Sequence, residues 1–562
     1  MQHSVLVNHR TDFMLAQQLL SQLPEAEVLL FDPQLLEHAR NLGLPHARLQ
    51  RWPGNDLNWR VYRGVREEAA ALQARVDAAL ATLVPEAPGC QWHHYGLFYM
   101  LFTLRGYAAI GEQLAAQRPT TRLHVIAPQQ AFRYGQHSFV PALALMQTFG
   151  RAGLPGQFYS YDLPAPPEEQ VPDLRTAADA RPELLVHLPT CFYDHAYFEG
   201  EVLASGQRAL NLPSPFYDVK LPAIPGLPLE PLLSLGQRLP AAQLDRIDGV
   251  LAALRQILQE ALAPLMPSPA LLSLQLQALL EAYRRQLMFF ESLEQAFAGR
   301  TAHQLLISNH DAGLHGPLLS HAQRHRMKVL LVPHAKFFNA PAPELPNALC
   351  LSHALQGTAV AGLSGRPVAS ATLAFPERLT LPETLPQPLR TLGVLLAGVS
   401  YNSMCAADMD VYLEGLRRLH DWCAGQGIDC RLRCKPTDGF ASQIAEHLGI
   451  GVQDILRQFD GNLADFGAAC DLCLGYDVPT SGAIELLRQG TPMVHAQLRP
   501  LLPEELSLLN GRIVPLRMLD ETLAQLQQWQ QDPSALWRFR RQQHAAYLQL
   551  QAEARPLRDF LC

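Results

Sequence analysis

Short apolar runs alternate with helix-like segments along most of the chain, and this alternation limits the fold more than any other feature. Near the N-terminus, Ser4–Val7 is an apolar run, 13–23 has the spacing of a helix, and 28–31 is a second apolar run. A strand, a helix and a strand within ~30 residues are typical of a βαβ unit, whose strands are parallel. The sequence therefore predicts an α/β fold of Rossmann-like, doubly wound parallel sheets.

The same alternation continues to the end of the chain. Further strand-like runs lie at 123–127, 183–187, 305–308, 329–332, 348–351, 392–397, 429–434, 472–474 and 492–494. Further helix-like segments lie at 99–117, 139–151, 316–326, 408–426, 444–448, 482–489 and 519–561. This series predicts two Rossmann-like domains that face one another across a cleft.

Proline content and helical periodicity divide the chain. Seven prolines between 211 and 240 predict an excursion that is neither helix nor central strand. Apolar residues from Leu244 to Ile257 recur at spacings of three and four, which predicts an inserted helical segment. We expect an N-terminal α/β region with its excursion at 1–240, a helical segment at 241–300, and an α/β segment completing the N-terminal side of the cleft at 301–375. A linker at 376–390, a C-terminal α/β domain at 391–520 and terminal helices at 521–562 would follow.

Composition excludes several classes of protein. With 45 Lys and Arg against 52 Asp and Glu, the chain is not a uniformly basic nucleic-acid binder, and we expect no nucleic-acid partner. Only 17% of the residues are charged, below the usual ~25%, which favours partner contact or homo-oligomers. The first residues lack the ~7–15-residue apolar stretch of a signal peptide, and no run approaches the ~20 residues of a membrane span. We expect a cytoplasmic protein, and peripheral contact with the inner membrane stays open.

The strongest candidate motif follows the run at 472–474. Thr480-Ser481-Gly482 opens a predicted helix there, and free backbone N–H groups flanked by hydroxyls suit a phosphate. Glu485 lies about one turn after Ser481, where a carboxylate could accept hydrogen bonds from a ribose diol. An ordinary helix N-cap followed by an acidic first turn explains the same residues.

A second motif alternates along the run at 429–434. Arg431, Arg433 and Lys435 fall on one face of a strand, and Lys435 at its end could contact a nucleotide phosphate. The alternative is an edge strand with a solvated face.

With these motifs in place, residues ~300–500 resemble the nucleotide-binding region of GT-B glycosyltransferases, above all the bacterial enzymes that build capsule and lipopolysaccharide, including Kdo and sialic-acid transferases. Those enzymes carry a basic residue and proline after one strand, matched by Lys435-Pro436 with Lys in place of the usual His. Their Ser/Thr pair matches Thr480-Ser481, and their His-Gly pair matches His334-Ala335 with Ala in place of Gly.

The resemblance implies a metal-independent glycosyltransferase with no cofactor beyond its nucleotide-sugar co-substrate. The sugar, from a CMP-linked acidic donor if the subgroup holds, would pass to a glycan, a lipid-linked acceptor or a protein. The residues expected to bind the donor are His334, Arg433, Lys435, Thr480, Ser481, Gly482 and Glu485.

Two other strand ends carry candidate catalytic and acceptor residues. His310 and Asp311 close the run at 305–308, where Asp311 could deprotonate an acceptor hydroxyl or, in a retaining reaction, act as nucleophile. Asn8, Arg10 and Asp12 would line the acceptor side. Turn chemistry explains both groups equally well.

No metal site is predicted. Asp408-Met-Asp410 opens a predicted helix, where acids favour the dipole, and the strand-borne cysteines Cys470 and Cys473 suit a core. No G-x-G-x-x-G follows the first strand, which disfavours a dinucleotide oxidoreductase. Two alternatives to a glycosyltransferase stay open: a non-hydrolysing sugar-nucleotide epimerase, and a non-catalytic protein that binds partners through 241–300 or the Gln-rich tail.

Overall fold

The structure is a computed structural model, and it describes most of the chain. The described residues are 2–30, 33–44, 47–49, 55–85, 92–133, 137–164, 168–188, 195–214, 221–299, 302–308, 313–332, 345–353, 367–374, 386–396, 409–434, 441–477, 479–480, 482–500 and 513–561. Among them, no helix combines the length and the apolar character needed to cross a membrane.

The first sheet has five parallel strands in the order β3-β2-β1-β4-β5. Its strands are β1 Gln2–Val7, β2 Glu27–Leu30, β3 Ala47–Leu49, β4 Thr121–Pro128 and β5 Gly156–Tyr161. Its helices are α1 Asp12–Gln22, α2 Pro33–Asn41, α3 Asn55–Leu83, α4 His94–Gln117 and α5 Val140–Arg151. The central strands are buried on both faces, which explains why they form continuous apolar runs.

The second sheet has six parallel strands in the order β13-β12-β11-β10-β7-β8. Its strands are β7 Leu184–His187, β8 Ala209–Asn211, β10 Gln304–Ser308, β11 Lys328–Val332, β12 Ala348–His353 and β13 Ser370–Leu373. The strands β6 Gln170–Pro172 and β9 Leu229–Pro231 pair separately and antiparallel. The helices of this region are α6 Ala177–Ala180, α7 His195–Ala204, α8 Leu232–Arg238, α9 Ala241–Leu262, α10 Pro269–Ala296 and α11 His315–Arg324.

The third sheet has five parallel strands in the order β15-β14-β16-β17-β18. Its strands are β14 Thr391–Leu396, β15 Asp429–Arg433, β16 Leu472–Tyr476, β17 Met493–Gln497 and β18 Leu516–Met518. Its helices are α12 Met409–Gln426, α13 Ala441–Leu448, α14 Val452–Phe459, α15 Leu463–Ala468, α16 Gly482–Arg488, α17 Leu519–Gln531 and α18 Pro533–Ala552. The predicted α/β fold class with Rossmann-like parallel sheets is confirmed.

The strands before residue 375 divide differently from the expected arrangement. They form two sheets, because β7 pairs with β10 and not with the first sheet. The strands β10 to β13 therefore share a sheet with β7 and β8, and the helices α9 and α10 of the predicted helical segment lie between these two sets of strands in the chain. An apolar run shows that a strand is buried but does not show which strand lies beside it.

The proline-rich stretch also differs from its prediction, since it contains the short helix α8. This helix starts directly after Pro231, where proline is tolerated because the first turn leaves backbone N–H groups unpaired in any case. Residues 376–385 of the predicted linker, 376–390, lie outside the described residues.

The C-terminal segment returns from the third sheet to the second. Leu557, Phe560 and Leu561 are buried in the second sheet's core, and Arg555 forms a bridge with Leu373 at the end of β13. The Tyr197 hydroxyl donates to the carbonyl of Ala374 at 2.8 Å and accepts the N–H of Leu557 at 3.1 Å. The chain therefore crosses between the second and third sheets twice.

Part of the Gln-rich tail has a structural role. Gln543 of α18 is buried, and its side-chain oxygen accepts the N–H of Met493 at 2.7 Å. Its amide nitrogen donates to the carbonyls of Met493 at 2.7 Å and Ile513 at 3.0 Å. This side chain ties α18 to β17 and to the segment before β18.

We expect Gln543→Leu to lower the free energy of unfolding by about 2–3 kcal/mol, because it leaves buried backbone groups without partners. Denaturant titration followed by circular dichroism measures the change. Gln542→Leu, at the exposed neighbouring position, serves as the matched control and should change stability by less than about 0.5 kcal/mol. Equal effects of the two variants would contradict this role for Gln543.

Candidate functional site

Each parallel sheet has one point at which the strand order reverses, and ligands of such sheets bind beside the carboxyl ends of the strands there. The reversal lies between β1 and β4 in the first sheet, between β7 and β10 in the second, and between β14 and β16 in the third. The sequence candidates follow one strand of each pair: 8–12 after β1, 310–311 after β10 and 480–485 after β16.

At the first reversal, Asp12 is fully buried and accepts four hydrogen bonds from the protein. One carboxylate oxygen accepts the backbone N–H groups of Asn8 and His9, both at 2.9 Å. The other lies 3.0 Å from His137 Nε2 and accepts the Tyr161 hydroxyl at 2.7 Å. Because these four partners occupy its acceptor positions, the Asp12 carboxylate is not available to a ligand. Its role is to hold His137 and Tyr161 in place. Sequence reasoning missed His137 and Tyr161, which lie more than a hundred residues away.

His9 forms the outer part of this cluster. Its ring stacks on that of His137, with centroids 4.5 Å apart, and its Nδ1 lies 2.8 Å from the Thr11 hydroxyl. Burial of part of the ring, followed by the nearby charge of His137, lowers the pKa of His9 despite the opposing effect of Asp12. A neutral imidazole at a sheet's carboxyl edge is a suitable base for a hydroxyl proton.

The other two predicted acceptor-side residues differ in their surroundings. Arg10 is exposed in the turn before α1. Both polar side-chain atoms of Asn8 are buried, and the described part of the chain offers them no hydrogen-bond partner. Because a buried unsatisfied polar group costs about 1–3 kcal/mol, Asn8 indicates a position where a polar ligand atom would be stabilised.

At the second reversal, the predicted residues His310, Asp311 and His334 lie outside the described residues, and their roles stay predictions. The flanking strand ends are firmly held. His187 at the end of β7 is buried, hydrogen-bonds to the carbonyl of Leu212 at 2.8 Å, and has its pKa lowered to about 4 by burial.

At the edge of the third sheet, β15 is the outermost described strand, and its arginines have protein partners. Arg431 forms an ion pair with Asp429 at 2.8 Å. Arg433 donates to the carbonyls of Cys434 at 3.2 Å and Gly461 at 2.8 Å. This arrangement is that of an edge strand with a solvated face. Lys435 lies outside the described residues, so donor binding by both predicted cations stays a prediction.

The third reversal brings Thr480, Gly482 and Glu485 together at the start of α16, while Ser481 lies outside the described residues. The Ala483 N–H hydrogen-bonds to the Thr480 carbonyl at 3.2 Å. A Cβ atom on Gly482 would approach Leu463 to 3.2 Å, so this helix start packs closely on α15. The Glu485 carboxylate is half-buried, and within the described part of the chain it forms no hydrogen bond or ion pair.

Asp477 lies directly after β16 and opens the candidate stretch 477–485, but the sequence assigned it no role of its own. It is buried and has a left-handed backbone, with φ at 58°, which is uncommon for a residue other than glycine. His495 Nε2 lies 2.8 Å from its carbonyl oxygen and holds this conformation. An aspartate between a strand and a proline two positions on is the sequence signal that could have found it.

No family model matches the chain, and no curated protein matches it. Among solved structures, it is similar to the glycosyltransferase SnogD from Streptomyces nogalater, at 11% identity and a TM-score of 0.33 over 67% of this chain and 97% of that one. It is also similar to the spinosyn rhamnosyltransferase SpnG, complexed with spinosyn aglycone, at 12% identity and a TM-score of 0.26 over 80% of this chain and 93% of that one. The glycotransferase of kitacinnamycin is similar at 13% identity and a TM-score of 0.33 over 66% of this chain and 96% of that one.

We expect His9 to titrate below the ordinary histidine pKa of 6.5. His137→Asn should raise the pKa of His9, because it removes a ring that covers His9 from water and also removes a neighbouring charge. NMR titration of the ring carbons measures the pKa, and His9→Gln assigns the signal. Since the unfolded chain takes up this proton first, His9 reduces the stability of the fold as the pH falls through about 6.5. A midpoint at or above 6.5 in the unaltered protein would contradict the expected burial.

Proposed function

We propose that the chain is a glycosyltransferase that moves a sugar from a nucleotide-activated donor to a glycan, a lipid-linked acceptor or a protein. The observation that carries this proposal is the half-buried Glu485 carboxylate at the third reversal, which has no partner within the described residues. A carboxylate in that position is suited to accept hydrogen bonds from the two hydroxyls of a ribose.

The donor would lie along the carboxyl edge of the third sheet. Glu485 would bind the ribose, and Thr480, Ser481 and the closely packed Gly482 would face the phosphates. His334, Arg433 and Lys435 would supply positive charge or hydrogen bonds to the same phosphates. A CMP-linked acidic sugar is the donor implied by the sequence resemblance.

The second sheet would supply the catalytic group. In an inverting transfer, the acceptor oxygen forms a bond to the anomeric carbon while the bond from that carbon to the phosphate oxygen breaks. Asp311, aided by His310, would take the proton of the acceptor hydroxyl, and the leaving nucleotide would carry its negative charge toward the donor-binding cations. In a retaining transfer, Asp311 would bond to the anomeric carbon as the nucleotide leaves, and the acceptor oxygen would then displace Asp311 while passing its proton to the departed phosphate. This scheme uses no metal and no cofactor beyond the sugar nucleotide.

The acceptor would approach from the first sheet, where Asn8, Arg10 and Asp12 lie. The buried amide of Asn8 would gain a partner from a polar acceptor atom, while Asp12 holds His137 and Tyr161 in place.

We expect one nucleotide among CMP, CDP, UDP, GDP, dTDP and ADP to raise the melting temperature, because a ligand at about 100 times its Kd stabilises by ~2.7 kcal/mol. Glu485→Gln should remove the shift, while Glu553→Gln, an exposed acid after α18, should keep it. Thermal-shift measurements with and without Mg²⁺ check both. The absence of any shift would favour a non-catalytic interaction protein.

We expect Asp311→Asn to lower sugar transfer by ~10²–10⁴-fold while the nucleotide-dependent shift persists, since the loss of a proton acceptor leaves donor binding intact. Transfer is measured with the nucleotide sugar selected by the binding screen and a mixture of glycan acceptors. Conversion of the donor sugar without any acceptor would instead identify an epimerase.

A further inference from the structure

Two histidines and one glutamate converge where α10 and α11 end. Glu294 Oε1 lies 2.6 Å from His321 Nδ1 and 3.3 Å from His325 Nε2. The three potential ligand atoms all lie within 4.8 Å of one another. None of these residues belongs to the strand ends described above, so the proposed transfer reaction leaves the cluster unexplained.

We propose that Glu294, His321 and His325 bind a divalent transition-metal ion of the zinc class. Two imidazoles and a carboxylate are a ligand set that Zn²⁺ accepts, with metal–ligand bonds of ~2.0–2.2 Å. Ligand atoms of a tetrahedral site with such bonds lie roughly 3.3 Å apart. The observed separations from Glu294 Oε1 are close to this value, so binding needs side-chain shifts on the order of 1 Å.

The protein around the cluster is firmly built, which reduces the cost of organising the ligands. His321 is only 1% exposed, so the surrounding protein restricts the orientation of its ring. The residue before it, Ser320, accepts a hydrogen bond from the buried indole of Trp92 at 2.7 Å. Trp92 in turn packs on Phe290 of α10. Both helices that carry the ligands are therefore fixed to the same side chain.

Arg324 supports the carboxylate from outside. Its guanidinium lies 3.0 Å from Glu294 Oε2 and leaves Oε1 for the metal, as partners of metal-binding carboxylates commonly do. The Arg324 side chain is 38% exposed, so solvent screens its charge from the ion. The His325 side chain is 26% exposed, which leaves a route for water to reach the fourth coordination position.

The location points to a structural role for the ion. α11 runs antiparallel to the strands it connects, so its C-terminal end lies at the amino edge of the second sheet. The negative end of the helix dipole at that position favours a cation. The ion would therefore tie α10 to α11 on the side opposite the carboxyl ends, away from the residues of the proposed transfer.

The test uses the full-length protein after dialysis against EDTA. We expect calorimetric titration to show one equivalent of Zn²⁺ bound, Co²⁺ to give the visible absorption of a low-symmetry site, and the metal to raise the melting temperature. His325→Ala and Glu294→Gln should weaken binding by more than 100-fold. Arg324→Leu should weaken it by ~10–100-fold, as expected for a residue that only supports a ligand.

His303→Ala is the matched control, since His303 is an exposed histidine of the same region outside the cluster. It should bind the metal as the unaltered protein does. Binding that persists unchanged in both His325→Ala and Glu294→Gln would place the ion elsewhere and overturn the proposal. So would the absence of a bound equivalent in the folded, unaltered protein. Circular dichroism confirms that each variant is folded before titration.

Discussion

The burial of Trp92 between the first and second sheets is the interaction on which the rest of the structure depends. Its side chain is fully buried, its indole donates to Ser320 of α11, and its carbonyl accepts hydrogen bonds from Gln73 of α3 and Tyr283 of α10. Gly316 approaches so closely that a Cβ there would lie 2.8 Å from the indole, so only glycine fits. One continuous core therefore joins the two sheets. The helices α3, α10 and α11, which all contact Trp92, are fixed relative to each other.

The third sheet is attached by different means, and this difference matters for function. It has a core of its own, and covalent connection to the second sheet runs through the segment after β13 and the return at 553–561. Near that return, the Tyr197 hydroxyl hydrogen-bonds to both connecting segments, at Ala374 in the first and at Leu557 in the second. Because two crossings constrain relative motion more than one, they limit how far the third sheet can move relative to the second. The proposed transfer would use this separation, with the donor on the third sheet and the acceptor on the first.

Local sequence predicted the elements well and their partners poorly. The pattern at 13–23 gave the helix Asp12–Gln22 to within one residue, and the tail at 519–561 is helical as expected, because local periodicity records which faces are buried. The pairing of β7 with β10 and the approach of His137 and Tyr161 to Asp12 depend on contacts between distant positions, which a single sequence does not record. For the same reason, a single sequence does not show that Glu294 lies beside His321 and His325. The roles predicted for Asp311, Lys435 and Ser481 stay predictions, since these residues lie outside the described part of the chain.

The amino and carboxyl edges of the parallel sheets differ in whether their polar side chains have hydrogen-bond partners within the described residues. At the amino edge of the second sheet, Glu294 already has hydrogen-bond partners in both histidines and in Arg324. A bound ion would take the place of the protons shared with the histidines and hold the same side chains together. At the carboxyl edges, Asn8 and Glu485 have no partner among the described residues. Keeping the buried amide of Asn8 unsatisfied costs stability, and that cost is recovered when a ligand supplies the missing hydrogen bonds. Water reaches the half-buried carboxylate of Glu485, so this cost does not apply there. The proposed transfer would supply a polar acceptor atom to Asn8 at one edge and a ribose hydroxyl pair to Glu485 at another.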